Sequence, residues 1–381
     1  MPFSAKIGFF STLEQLYSWP GYMTDDEFTA EVDGDFTNTG PATYSLRTHT
    51  SAFNHRYGLL ANNGNVYLIP RGKDYFVEFD PTSNVMNNIV TTMSADDYTG
   101  GALADNGNIC CPSFNTLSPS TILQLNPRDD GFSVSEIAPT GDYNPNNIGG
   151  VTLPSGNVMF MPRNSGGWFT VYDPDTNIAS KAGISTTVKT LSGTFRYVGG
   201  VSHPNGNVYW MPFNGTDLSY YNESTDTWTD VDCSSLLSTG GESMQGGVLM
   251  TDGRIVGVPY DLNELFVFDP SDDSFYTDNY GMSLIGGNKF IGGALAPNGN
   301  VYFANFQSSN TLQIEFDTQA NVAYTPSFGG SSRTNNIGVV PTGDNRLIFV
   351  PFNGANFAEV DVGVTPTNPE VMKSPQLNKG I

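Results

Sequence analysis

Positive charge is scarce in this 381-residue chain: 16 lysines and arginines stand against 38 aspartates and glutamates, a formal net charge of −22. Such a chain is repelled by nucleic acid and by anionic membrane surfaces, so neither is expected as a partner. Histidine is nearly missing, with His49, His55 and His203 alone, and no Cys/His spacing suits a zinc or copper site. No metal and no cofactor is expected. The three cysteines, Cys110, Cys111 and Cys233, build no disulfide framework. Cys110 and Cys111 are adjacent on a predicted strand and point to opposite faces. This usage suits folding in a reducing compartment.

Long apolar runs are missing too. No stretch approaches a membrane span, so no membrane insertion is expected. The opening MPFSAKIGFFSTLEQ lacks the pattern of a secretion signal. Helix signals are weak, and only Ser11 to Ser18 reads as helical. Catalytic signatures are equally thin. There is no G-x-S-x-G nucleophile elbow, no calcium loop of EF-hand spacing and no Asp-box turn of the sialidase kind. Arg71, Arg163, Arg196, Arg254 and Arg333 are scattered along the chain. The expectation is a chain that is not an enzyme, although 38 acids leave a carboxylate pair for glycoside hydrolysis open.

What is present is a repeat. A glycine pair, apolar residues, an Asn-Gly or similar turn, a strand and a proline recur along the chain. Copies read GGALADNGNICCP from Gly100, GGVTLPSGNVMFMP from Gly149 and GGVSHPNGNVYWMP from Gly199. The turn glycines are Gly64, Gly107, Gly156, Gly206, Gly253, Gly299 and Gly343, a period of about 46 residues that fits a four-stranded propeller blade. The fold expected is all-β, a seven-bladed propeller of antiparallel blades over residues 51–381, preceded by an extension over residues 1–50. Within a copy, Asn-Gly marks a tight hairpin and the proline ends the second strand. The turn between the last two strands is Asp80-Pro81, Asp173-Pro174 or Asp269-Pro270, where the acid caps the turn; Asp317 is read the same way. The glycine pair belongs on the innermost strand, where backbones converge. The ring closes either with 356–362 and 370–374 as the last two strands or with Tyr44 to Thr48 returning from the other end.

The loop past each proline opens on Arg71, Ser113 with Phe114, Arg163, Phe213, Tyr260, Phe306 or Phe352. A ring of aromatic and guanidinium groups on one face follows. Either these groups plug the gaps between blades, or they form a rim that stacks on sugar rings while Asn and Asp hold hydroxyls. The candidate binding residues are Trp168, Arg163, Phe213, Asn214, Asp217, Tyr260, Asp261, Phe306, Phe352 and Asn353, with Trp168 the leading exposed platform. In the extension, Phe9, Phe10, Leu13, Leu16, Tyr17 and Trp19 form a candidate docking segment, or else wrap the propeller.

The strand, the N-G-N-V-Y turn and the F-D-P-x-T-N turn resemble kelch-type propellers over most of the chain. Kelch repeats carry Gly-Gly at the end of the second strand, where this chain has Ile69-Pro70 or Met211-Pro212, so kelch partners and galactose-oxidase chemistry do not transfer. The wording of the repeat, and the ending Ser374 to Lys379, resemble uncharacterised propeller proteins of tailed bacteriophages. That resemblance implies a non-enzymatic virion component of tail, fibre or capsid appendage. It would be made in the host cytoplasm, act outside the cell in multiple copies, and meet other virion proteins and host-surface glycan. The alternatives are a carbohydrate-binding, lectin-like propeller and, third, a polysaccharide-degrading enzyme.

Overall fold

The computed structural model describes residues 36–38 and 43–366, apart from single positions and short stretches, the longer ones being 91–97, 114–120, 307–313 and 325–335. The docking candidates Phe9 to Trp19, the stretch 11–18, Arg333 and Asn353 lie outside the described residues. The described strands form seven blades. Blade 1 covers His55 to Val90, blade 2 Ala102 to Ile137, blade 3 Asn147 to Lys181 and blade 4 Tyr197 to Asp232. Blade 5 covers Met244 to Asp278, blade 6 Phe290 to Tyr324 and blade 7 Asn336 to Asp361. Blade 3 adds a short fifth strand, Thr140–Gly141, parallel to Ile178–Lys181.

Closure comes from the amino-terminal side. Strand Thr43–Phe53 pairs antiparallel with Gly354–Asp361 and supplies the fourth strand of blade 7. The strand straddles the boundary between the expected extension and the propeller. A ring closed by one strand from each end cannot splay without breaking that ladder, and radial repetition leaves only short, protected sheet edges.

Burial runs outward along each blade. In blade 4 the innermost strand Tyr197–Ser202 and the second strand Asn207–Pro212 are almost wholly buried, whereas the outermost, Thr227–Asp232, is largely accessible. Large rings fill the wedge between neighbouring blades: Phe169 of blade 3 meets Trp210 of blade 4 with centroids 4.9 Å apart. Asp-Pro turns are capped as expected, with the Thr82, Asp175 and Ser271 amides donating to the carboxylates of Asp80, Asp173 and Asp269. Against the cost of burial, hydrogen bonds from the Ser83, Thr176 and Ser271 hydroxyls, together with those from backbone amides, hold the three carboxyls below their usual range. Cys110, Cys111 and Cys233 are buried free thiols.

The glycine pair does two jobs. At Gly101 a Cβ would meet the Cys110 carbonyl oxygen at 2.5 Å, so the second glycine admits the neighbouring strand. The first lies at positive φ, as at Gly149 (60°) and Gly199 (78°), and the strand register shifts there in a β-bulge. The bulge turns the preceding residue toward the propeller axis. That single kink, repeated around the ring, builds the site described next.

Candidate functional site at the mouth of the central channel

The residues that precede the bulge are Arg56, Thr99, Ile148, Val198, Gln245, Ile291 and Ile337, one per blade, and all seven line one cavity of about 280 Å³. The cavity therefore lies on the axis, at the end of the channel away from the Asn-Gly hairpins. Its outer wall comes from the loops that follow the prolines, through Phe213, Tyr260, Phe306 and Phe352, and from the inter-blade residues Phe195 and Glu242.

A backbone belt fixes this wall. The Phe213, Tyr260 and Phe306 amides donate to the carbonyls of Arg196, Ser243 and Lys289 of their own blades, at 2.8, 2.9 and 2.8 Å. The Phe213 and Tyr260 carbonyls accept in turn from Ser243 and Lys289 of the next blade, at 2.8 and 2.9 Å. Main-chain bonds thus hold the rim residues from both sides, whatever side chain they carry. The rings then pair: Phe213 with Tyr260 at 5.4 Å and Phe306 with Phe352 at 5.5 Å. Arg71 and Arg163 sit over Phe352 and Phe195, each 5.2 Å from the ring centre.

Three of the lining residues hold a backbone that side chains normally avoid. Nine described non-glycine residues have positive φ. Five are Asn or Asp, which tolerate that region. The other four are Tyr57 (65°), Phe195 (53°), Glu242 (41°) and Tyr280 (48°), and the first three line the cavity. Comparison among blades shows that each is a choice. Tyr57 stands at the bulge position that carries Gly100, Gly149, Gly199, Gly246, Gly292 or Gly338 elsewhere, all at positive φ. Phe195 and Glu242 open blades 4 and 5 where blade 6 uses Asn288, also at positive φ. At these three positions the chain departs from the low-strain residue and the residue lines the cavity.

The cavity is polarised. Ile148, Val198, Ile291 and Ile337 make an apolar floor, while Arg56, Tyr57, Thr99, Glu242, Gln245 and Tyr260 supply polar atoms. Burial pushes the Tyr57 phenol up to about 12, with Arg56 opposing and Tyr260 adding to the rise. Tyr260 is likewise pushed up to about 12, by burial first and then by the charges of Glu242 and Asp261. Both phenols are neutral hydrogen-bonding groups over the physiological range. Glu242 is the one carboxylate among the described lining residues.

Of the residues expected at the rim, Phe213, Tyr260, Phe306 and Phe352 come together in the cavity. Arg163 braces Phe195 from behind. Asp217 forms an ion pair with Arg196, the Asn214 amide donates to the Phe195 carbonyl at 3.2 Å, and Asp261 accepts from the Asn288 amide at 2.7 Å. Trp168 does not join them. It bridges Thr190, donates from Nε1 to the Asp142 carbonyl at 3.1 Å, and has the Lys181 ammonium 4.5 Å from its ring centre. The residues that sequence reasoning missed are Arg56, Tyr57, Thr99, Phe195, Glu242 and Gln245. For four of them the signal was available: Arg56, Thr99 and Gln245 sit immediately before the bulge, and Tyr57 breaks the glycine pattern.

No family model matches the chain, and no curated protein matches it. Solved structures do. The virginiamycin B lyase of Staphylococcus aureus is 11% identical, with a TM-score of 0.64 over 84% of this chain and 99% of the lyase. A streptogramin B lyase is 10% identical, with a TM-score of 0.65 over 84% and 98%. A fungal alcohol oxidase of the AA5 family, in complex with copper, is 14% identical, with a TM-score of 0.61 over 87% and 79%. The likeness is one of fold.

That finding corrects the functional expectation. The reported structures that share this propeller are lyases and a copper-bound oxidase, so the reading of the chain as a non-enzymatic virion component does not stand. The phage resemblance, the virion location and the virion partners fall with it. The expectation that the chain is not an enzyme falls as well, because the fold is one that catalysts use. The chemistry of those catalysts does not map directly onto the cavity. One lyase structure is a catalytically inactive variant with a histidine replaced by alanine, and here His55 and His203 lie off the cavity, bonded to the carbonyls of Tyr75 and Gly253. Among the described residues no three His, Cys, Asp or Glu side chains are grouped to hold a metal ion, so a copper centre does not fit them. No described helix is long and apolar enough to cross a membrane.

Proposed function

We propose that the chain binds a saccharide in the mouth of its central channel. The observation that carries this reading is the convergence of Tyr57, Phe195 and Glu242 on one cavity, each in a backbone conformation that another blade fills with glycine or asparagine. Strain of this kind costs about 1 kcal/mol or more per residue and gathers at functional sites. The lining supports a sugar as the ligand. Flat aromatic groups offer stacking faces at low conformational cost, and a carboxylate, a guanidinium and an amide stand among them to exchange hydrogen bonds with ring hydroxyls.

The test is titration of the purified protein with a panel of oligosaccharides, followed by calorimetry of Phe306→Ala and Glu242→Gln. The reading expects saturable binding that weakens about ten-fold or more in each variant, since either change removes 1–2 kcal/mol of contact. Binding that survives both changes would place the ligand elsewhere.

A second reading is turnover of the bound sugar, and Glu242 beside Tyr260 is the observation that favours it. A single carboxylate does not make the paired acid and base of glycoside hydrolysis, so Glu242 would act alone as the proton-transferring group. Release of new reducing or unsaturated ends from a bound polymer, lost in Glu242→Gln even at polymer concentrations that saturate the variant, would support turnover over binding alone.

A further inference from the structure

One group in the cavity is not accounted for by the fold. Thr99 is 2% exposed and lines the axial cavity, and its Oγ1 has no hydrogen-bond partner among the described residues. Its carbonyl is engaged, accepting from the Gly149 amide at 2.6 Å. A buried hydroxyl left without a partner is costly, and a hydroxyl is not needed here for packing. The equivalent residues of blades 3, 4, 6 and 7 are Ile148, Val198, Ile291 and Ile337, so the architecture accepts a branched apolar side chain at this point of the ring. Valine, the isostere of threonine, already stands there in blade 4.

Resting on the saccharide reading above, we infer that Thr99 Oγ1 is the anchor for a hydroxyl of an uncharged sugar. The surroundings decide the class. The bulge residue of the neighbouring blade, Tyr57, lines the same cavity. Around them the described lining holds one cation, Arg56, and one carboxylate, Glu242, a balance that favours neither an anionic nor a cationic ligand. The whole chain, at −22, repels polyanions at long range. A threonine hydroxyl both donates and accepts, which matches a sugar hydroxyl and not a carboxylate or an ammonium alone.

The experiment compares the full chain with Thr99→Val and Thr99→Ser against neutral oligosaccharides (glucan, galactan and mannan), a uronate polymer and an amino-sugar polymer, with thermal unfolding of each protein. Thr99→Val is expected to unfold no earlier than the wild type and to bind the neutral sugar about ten-fold more weakly, while Thr99→Ser stays within about three-fold. Equal binding by Thr99→Val would overturn the anchor and leave the saccharide reading intact. A wild-type preference for the uronate or amino-sugar polymer would overturn the neutral class alone. No binding to any sugar would remove the saccharide reading, and the anchor with it.

Discussion

The two ends of the central channel solve the same backbone problem differently. At the hairpin end, each tight turn requires positive φ, and Gly64, Gly107, Gly156, Gly206, Gly253 and Gly299 supply it at 81–88°. At the mouth, positive φ falls on Tyr57, Phe195 and Glu242 as well as on glycine. The hairpin end is also tied across blades. Arg346 of blade 7 bonds Glu359 at 2.9 Å, Asn84 at 2.5 Å and the Pro81 carbonyl, and so latches the last blade to the first. Side chains at the hairpin end are chosen for stability, while several at the mouth are retained against it. In the proposed reading, the mouth is the working end.

The largest effect should come from cutting the latch. Arg346 is 8% exposed and its partner Glu359 only 5%, so Arg346→Ala breaks a buried ion pair along with the bonds to Asn84 and Pro81 and should cost about 3–5 kcal/mol by denaturant unfolding. Sugar binding by the protein that remains folded should be unchanged. Loss of binding in parallel would break the contrast between the two ends.

Tyr57→Gly tests the mouth from the other side. Truncating an ordinary buried aromatic costs about 3–5 kcal/mol, but here relief of the positive-φ strain, about 1–2 kcal/mol, offsets part of it. The variant should lose about 1–4 kcal/mol, by the same unfolding measurement, and bind sugar at least ten-fold more weakly. A full loss of stability, as at any core tyrosine, would argue that Tyr57 is there for packing.

Acid and base should also act unequally. Tyr57 and Tyr260 have folded values of about 12, above their ordinary 10.0. An acid harder to ionise in the folded state favours folding below its unfolded value, and that advantage is lost as pH rises from about 10 to 12. The turn carboxyls of Asp80, Asp173 and Asp269 are shifted down instead. Their contribution is present above about pH 4 and fades as pH falls through their lowered values. Unfolding midpoints should therefore be flat between about pH 5 and 9 and decline on both sides. Sugar affinity should be level over the same plateau, since both phenols stay protonated there.

The architecture was legible in the sequence because each blade repeats one geometric demand. The Asn-Gly turn, the glycine bulge and the strand-ending proline recur at the same spacing, and each has a single physical purpose. The rim was half legible: Phe213, Tyr260, Phe306 and Phe352 follow the prolines and do reach the cavity. The belt that places Phe195 and Glu242 beside them is made of main-chain hydrogen bonds between blades, which leave no mark on residue identity. Trp168 misled for a related reason. Its Gly166-Gly167 neighbourhood looks like an exposed loop, but the indole is claimed by Asp142 and Lys181 within its own blade. Blade closure by Thr43–Phe53 could only be posed as one of two options, because a lone strand carries no repeat signature.

The central claim is that the mouth trades stability for binding, and Glu242→Asn tests it most directly. Blade 6 already carries Asn288 in the same conformation, so the substitution relaxes the backbone with little loss of packing. Unfolding and sugar titration on this one variant should show stability raised by about 0.5–1 kcal/mol and affinity lowered about ten-fold. Lower stability together with unchanged binding would contradict the account, and would make Glu242 an ordinary loop residue.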